Sequence, residues 1–105
     1  MKKSAGIVMY NFEDGELKIL LVHSGGPYWK NKQHSCWSIP KGEFKNNEVP
    51  LSAAQREFEE ETSFSVDGDF IEMIPVYQKN KIVYPFAIEG KIDTTKIVSN
   101  ELLLD

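Results

Sequence analysis

The 105-residue sequence predicts an α/β (α+β) fold, in which strands form a sheet and helix packs on it, and three observations carry that prediction. Strand-like apolar runs stand before and after the middle of the chain, at Ser4 to Phe12, Leu17 to Val22, Phe70 to Tyr77 and Ile82 to Ile88. The stretch Pro50 to Ser63 between them repeats apolar residues at helical spacing. Turn-forming dipeptides separate the segments. The length fits one domain, residues 1–105, able to bury roughly two-thirds of its unfolded surface in a single core.

Taken in order, SAGIVMYNF and LKILLV read as two strands buried on both faces, joined at Glu13-Asp14-Gly15. Asp-Gly is a hairpin signal because both central residues of the tight turn need positive φ. His23 to Cys36 is polar and glycine-rich, and reads as a loop. In it Lys30 and Lys32 are candidate phosphate contacts, with His34 as a third, and Tyr28 or Trp29 could stack on a base. Taken singly, exposed lysines and a tacked-down loop aromatic explain these residues as well. His23, His34 and Cys36 lack a zinc spacing. Trp37 and Ile39 alternate with Ser38 in a short strand, where Trp37 reads as core.

Pro50 suits a first helical turn, and the helix is expected to stop near Ser63. After a turn at Val66-Asp67-Gly68-Asp69, two paired strands are expected around Gln78-Lys79-Asn80-Lys81, with Ile82, Tyr84, Phe86 and Ile88 on one face. Pro85 cannot donate to a ladder, so its strand is expected at an edge or with a bulge. Tyr77 and Tyr84 are candidates for a base pocket, core packing being the plainer role of each.

Hydrophobic residues make up 41% and charged residues 27% of the chain, as in an ordinary soluble globular protein. No apolar run is long enough to span a bilayer, and the short run after Lys2-Lys3 ends at Asn11, so neither a membrane anchor nor a signal peptide is expected. One cysteine, Cys36, cannot form an internal disulfide, which suits a cytoplasmic protein. The net charge of −4 and the lack of a basic stripe argue against non-specific nucleic-acid binding.

The helix itself carries the chemistry. Glu57, Glu60 and Glu61 stand at i, i+3 and i+4, with Glu60 about 60° to one side of Glu57 and Glu61 about 40° to the other. Like charges at those spacings destabilise a helix by roughly 0.2–0.5 kcal/mol per pair, and here they crowd its negative end. A hard divalent cation, Mg²⁺ or Mn²⁺, is the economical counter-charge. A solvated acidic surface is the plain alternative. Leu51, Ala54 and Phe58 form a neighbouring stripe for the sheet. Ala53, one turn before Glu57, is expected to leave room for a bound group. Arg56 can reach Glu60, and also Glu48 if the preceding loop folds back.

Gly42, Glu48, Arg56-Glu57-Phe58, Glu60-Glu61 and Phe64 match the pattern G-x₅-E-x₇-R-E-U-x-E-E-x-G-U, where U is bulky and apolar, at every defined position except Ser63, which replaces the second glycine. On this stretch, residues 42–64, the chain resembles the Nudix hydrolases. A glycine there would close the helix in a left-handed conformation that costs a residue with a Cβ about 1–2 kcal/mol, so either a local stability cost or an altered cap is expected at Ser63, with little effect on the ligands.

The resemblance implies an α/β/α sandwich with a mixed sheet, and metal-dependent hydrolysis of a pyrophosphate bond in a nucleoside diphosphate linked to another group. It implies Glu57, Glu60 and Glu61 as metal ligands with the Lys41 carbonyl. Glu57, Glu60, Arg56 and Glu48 are then the catalytic set, with a helix glutamate as general base and Glu48 in a supporting role, as a partner of Arg56 or a water-mediated metal contact. The Lys41 side chain is a further candidate phosphate contact. The run WSIPKGE is similar to that of diadenosine tetraphosphate and nucleoside triphosphate hydrolases, which points to those small nucleotides. Against the family pattern the sequence is short after Ile88, so a closing strand and helix are expected to be missing, and Glu101 alone is placed near an additional acidic position. A second copy would then cover the open surface as a homodimer. Two rivals follow: an inactive nucleotide-binding module or truncated remnant, and a structural fragment whose acidic helix binds no metal.

Overall fold

The computed structural model describes residues 1–23 and 37–93. Lys30, Lys32, His34, Cys36 and Glu101, together with the expectations about the chain beyond Asp93, lie outside them.

Strand β1 (Lys2–Glu13) is the spine of the sheet. It turns through Asp14 (φ 53°) and Gly15 (φ 80°) into β2 (Glu16–Ile19), the paired positive φ values that the Asp-Gly signal calls for. β2 differs from the expectation of burial on both faces: all four residues are exposed, because only β1 flanks it in the sheet. The run expected to reach Val22 as one strand divides at Leu20-Leu21. Val22–His23 (β3) leaves the main sheet and pairs with Trp37–Ser38 (β4) as a separate ribbon. β5 (Lys41–Phe44) then returns to the same edge of β1 that β2 occupies further along, pairing Ala5 with Gly42 and Gly6 with Lys41.

Helix α1 (Pro50–Thr62) begins with proline in its first turn, where the missing N–H has no partner to lose. Its apolar stripe lies on the face of the sheet that carries Ala5, Ile7 and Met9, and Ala53, Ala54 and Phe58 are fully buried there. Ala53 is therefore core, and the room expected beside it for a bound group is filled by the sheet.

The helix stops at Ser63 in the left-handed region, φ 65° and ψ 10°, with its N–H donating to the Glu59 carbonyl at 2.8 Å. Thr62 secures the stop: its buried Oγ1 donates to the Phe58 carbonyl at 2.8 Å and accepts from the Phe64 N–H at 3.1 Å. Replacing Ser63 with glycine removes the Cβ penalty of this conformation. The expected result is a gain of about 0.5–1 kcal/mol, read as a rise of a few degrees in thermal midpoint.

The second half corrects one expectation about Pro85. Its strand, β8 (Lys81–Glu89), is interior: it runs parallel to β1 from Lys2↔Lys81 to Tyr10↔Glu89, and its other edge carries β6 (Ile71–Glu72) and β7 (Val76–Gln78). Proline is tolerated because the neighbouring strand breaks. The Pro85 carbonyl accepts from Met73 N–H at 3.0 Å, so its nitrogen also faces Met73, Ile74 and Pro75, where no ladder bond is required. Phe86 and Ile88 reach the core under α1, while Val83 and Ala87 are buried on the opposite face. The result is a six-stranded mixed sheet with helix on one face, and among the described residues α1 is the only helix.

Candidate active site

The packing of α1 on β5 decides where the carboxylates stand. The Glu57 carboxylate lies directly over the Cα of Gly42, so closely that a Cβ there would overlap it. This explains why a glycine and a glutamate fifteen residues apart belong to one motif. The obstruction would be the mobile end of a side chain and not backbone, so Gly42→Ala is expected to fold. The carboxylate would be displaced instead. The expected result is a thermal midpoint within a few degrees of wild type and turnover at least about tenfold lower, since small displacements at a reacting centre are costly.

Arg56 is the hub. Its Nε and Nη2 donate to the two oxygens of Glu48 at 2.9 and 3.0 Å, a two-point grip that closes the loop before the helix as expected. Its Nη1 donates to Glu57 at 2.8 Å and to Glu60, one turn on, at 3.2 Å. Three carboxylates thus share one guanidinium. The side chains differ in access: Glu57 is 14% exposed, Glu48 29% and Glu60 57%.

Those environments move the ionisations in opposite directions. Burial pushes the Glu57 carboxyl above its usual range, against the Arg56 hydrogen bond, with the Glu60 and Glu48 charges adding to the rise. The Arg56 hydrogen bonds hold Glu48 below it. Glu48, Glu60 and Glu57 in turn keep Arg56 firmly protonated.

Lys41, on the strand before Gly42, is pushed below the usual lysine range by burial and then by the Lys81 ammonium, with Glu61 acting the other way. Lys41 is thereby within electrostatic reach of both Lys81 and Glu61. Lys81 was not singled out by the sequence, because nothing in a hairpin lysine's spacing shows which strand it will meet. Tyr84 is half-buried with its ring edge-on to Phe44, 5.8 Å between centroids, and Tyr77 is 73% exposed. The register Tyr77↔Ile82 places both tyrosines on the α1 face, but Tyr84 serves the core. A separate cavity of about 340 Å³ lies between Leu20 and Leu21 of the hairpin and the chain leaving β8 at Gly90 to Ile92. Among the described residues, none of those nominated lines it.

The donor set suits a hard divalent ion in kind, being all oxygen and two charges more negative than its guanidinium. Its present arrangement is different: Glu57 and Glu60 are turned to Arg56, and among the described residues no three His, Cys, Asp or Glu side chains converge as a metal site.

The NUDIX domain model matches residues 1–101 of the chain. This protein belongs to the NUDIX domain family. It is 40% identical over 81 residues to the mRNA-decapping protein g5R of African swine fever virus, an overlap of 77% of this chain and 29% of that protein. The chain spans 20–29% of the length of the curated relatives it matches. Among solved structures, it resembles a C. elegans Ap4A hydrolase at TM-score 0.64 and 24% identity, covering 96% of this chain and 74% of that one. It also resembles T. brucei MERS1 at TM-score 0.70 and 16% identity, covering 94% and 43%. At these identities the two structures establish the fold alone.

Proposed function

We propose that this NUDIX chain hydrolyses a pyrophosphate bond in a nucleoside diphosphate linked to another group, with Mg²⁺ or Mn²⁺ held by Glu57, Glu60, Glu61 and the Lys41 carbonyl. The observation that carries the reading is the Glu48–Arg56–Glu57–Glu60 network seated on Gly42. A charge excess in a partly buried cluster is costly unless the chain uses it. Bound divalent ions would neutralise phosphate oxygens and lower the pKa of a nucleophilic water.

The chain's own residues supply placement and charge. Glu48 anchors Arg56 from outside the helix, so the guanidinium holds Glu57 and Glu60 in the metal-free protein without itself drifting. Gly42 lets Glu57 approach the strand and keeps bulk off it. Lys41 lies within electrostatic reach of Lys81 and of Glu61, and the two lysines would attract a phosphate. The viral decapping relative supports including capped RNA among the substrates, and WSIPKGE supports dinucleoside polyphosphates or nucleoside triphosphates. Product formation from a panel of these three classes with Mg²⁺ or Mn²⁺ tests the reading. A folded, metal-binding protein that releases no product from any of them would reject it.

A second reading, a module that holds a nucleotide without turnover, is favoured by one observation: Arg56 occupies the carboxylates that hydrolysis needs. It predicts nucleotide-dependent thermal stabilisation without product.

A further inference from the structure

We infer that Arg56 is an exchangeable internal cation, which releases Glu57 and Glu60 when a divalent ion binds and stays anchored through Glu48. The inference rests on the metal reading above and goes beyond it, by assigning the guanidinium a change of partners instead of a fixed structural role.

The asymmetry of its bonds is the basis. Toward Glu48 the guanidinium presents Nε and Nη2 to two separate oxygens, at 2.9 and 3.0 Å, a fork that holds position and angle together. Toward the helix it has one nitrogen, Nη1, divided between Glu57 at 2.8 Å and Glu60 at 3.2 Å. Nη1 has one N–H for each of them, so Glu57 and Glu60 are each held at a single point where Glu48 is held at two, and Glu60 is the longest-bonded and most exposed member. Both carboxylates on that side are nominated ligands, and Glu48 is not.

Without some cation, Glu57 would stand next to Glu60 with little water to screen it. Arg56 fills that need, so the helix end is stable without metal. The same contact then competes with metal for the same oxygens. Two roles therefore predict opposite signs. If Arg56 only orients the ligands, its loss weakens metal binding by about 10–100-fold, as for other supporting partners. If it competes, its loss strengthens binding.

Arg56 is the single arginine of the chain, which makes the test direct in the unaltered protein. In ¹⁵N-labelled protein its side-chain resonances need no assignment by mutation. Mg²⁺ is titrated while binding is followed calorimetrically. The expected result is saturable heat, with the Nη1 resonance shifting and exchanging faster while Nε–H and Nη2 remain protected by Glu48. Saturable heat with an unchanged Nη1 resonance, or with Nε–H protection lost as well, overturns the inference and leaves the metal reading intact. No heat and no shift overturns both. As a second arm, Arg56→Gln is expected to bind Mg²⁺ several-fold more tightly than wild type, and weaker binding by a folded variant counts against exchange.

Discussion

Glu57→Gln is expected to lower turnover by about 10²–10⁴-fold, the loss that follows removal of a charged group acting on the reacting centre. The same substitution is expected to raise the thermal midpoint at neutral pH. Burial raises the Glu57 pKa on folding, so the contribution of this group to stability is fully present below the unfolded carboxylate pKa. It is lost as the pH rises through the higher folded value. Glutamine imitates the protonated acid and still offers Arg56 an acceptor. The midpoint difference between variant and wild type should therefore be small near pH 4 and grow toward neutrality. Thermal melts across that range, beside product assays, test both halves. A variant less stable than wild type at pH 7 would mean that the Arg56 bond outweighs the burial of the charge.

Phe58→Ala is expected to cost about 3–5 kcal/mol, a large part of the roughly 5–15 kcal/mol that stabilises a domain. Phe58 is the largest fully buried side chain and the bolt between α1 and the sheet, set among Ile7, Phe86 and Ile88 in the one core. It also lies next to Glu57 in the sequence, so collapse around the cavity would shift the helix over Gly42. Denaturant unfolding should show the loss in midpoint, and activity should fall before the protein unfolds. A loss below about 1 kcal/mol would mean that α1 is held chiefly by the Arg56 network and the Thr62 stop.

The site was more legible than the sheet, and for a physical reason. Glu57, Glu60, Arg56 and Phe58 occupy one helix, whose constant rotation per residue converts spacing directly into direction. The reach from Arg56 to Glu60 followed from the same regularity, whereas the reach to Glu48 depended on the loop folding back, which it does, and of the two outcomes open at Ser63 the structure shows the left-handed stop. Strand order has no such rule. Pro85 argued for an edge or a bulge when its strand was considered alone; β8 is interior, and the irregularity lies in its neighbour, which breaks between Glu72 and Val76 with one residue more than β8 has opposite it. LKILLV suggested burial, but β2 has no layer over it. Ala53 was assigned to the ligand side although the sheet covers it.

By itself the sequence determined the helix, its stop, the residue types of the acidic cluster and the NUDIX motif, all of them set by local geometry and fixed spacing. Only the tertiary structure decided that Glu57 rests on Gly42, that Lys81 comes near Lys41, and that one guanidinium is shared by three carboxylates. Those facts depend on which strand lies under which turn of helix. That choice is made by burial of the whole core, which no single stretch of sequence contains.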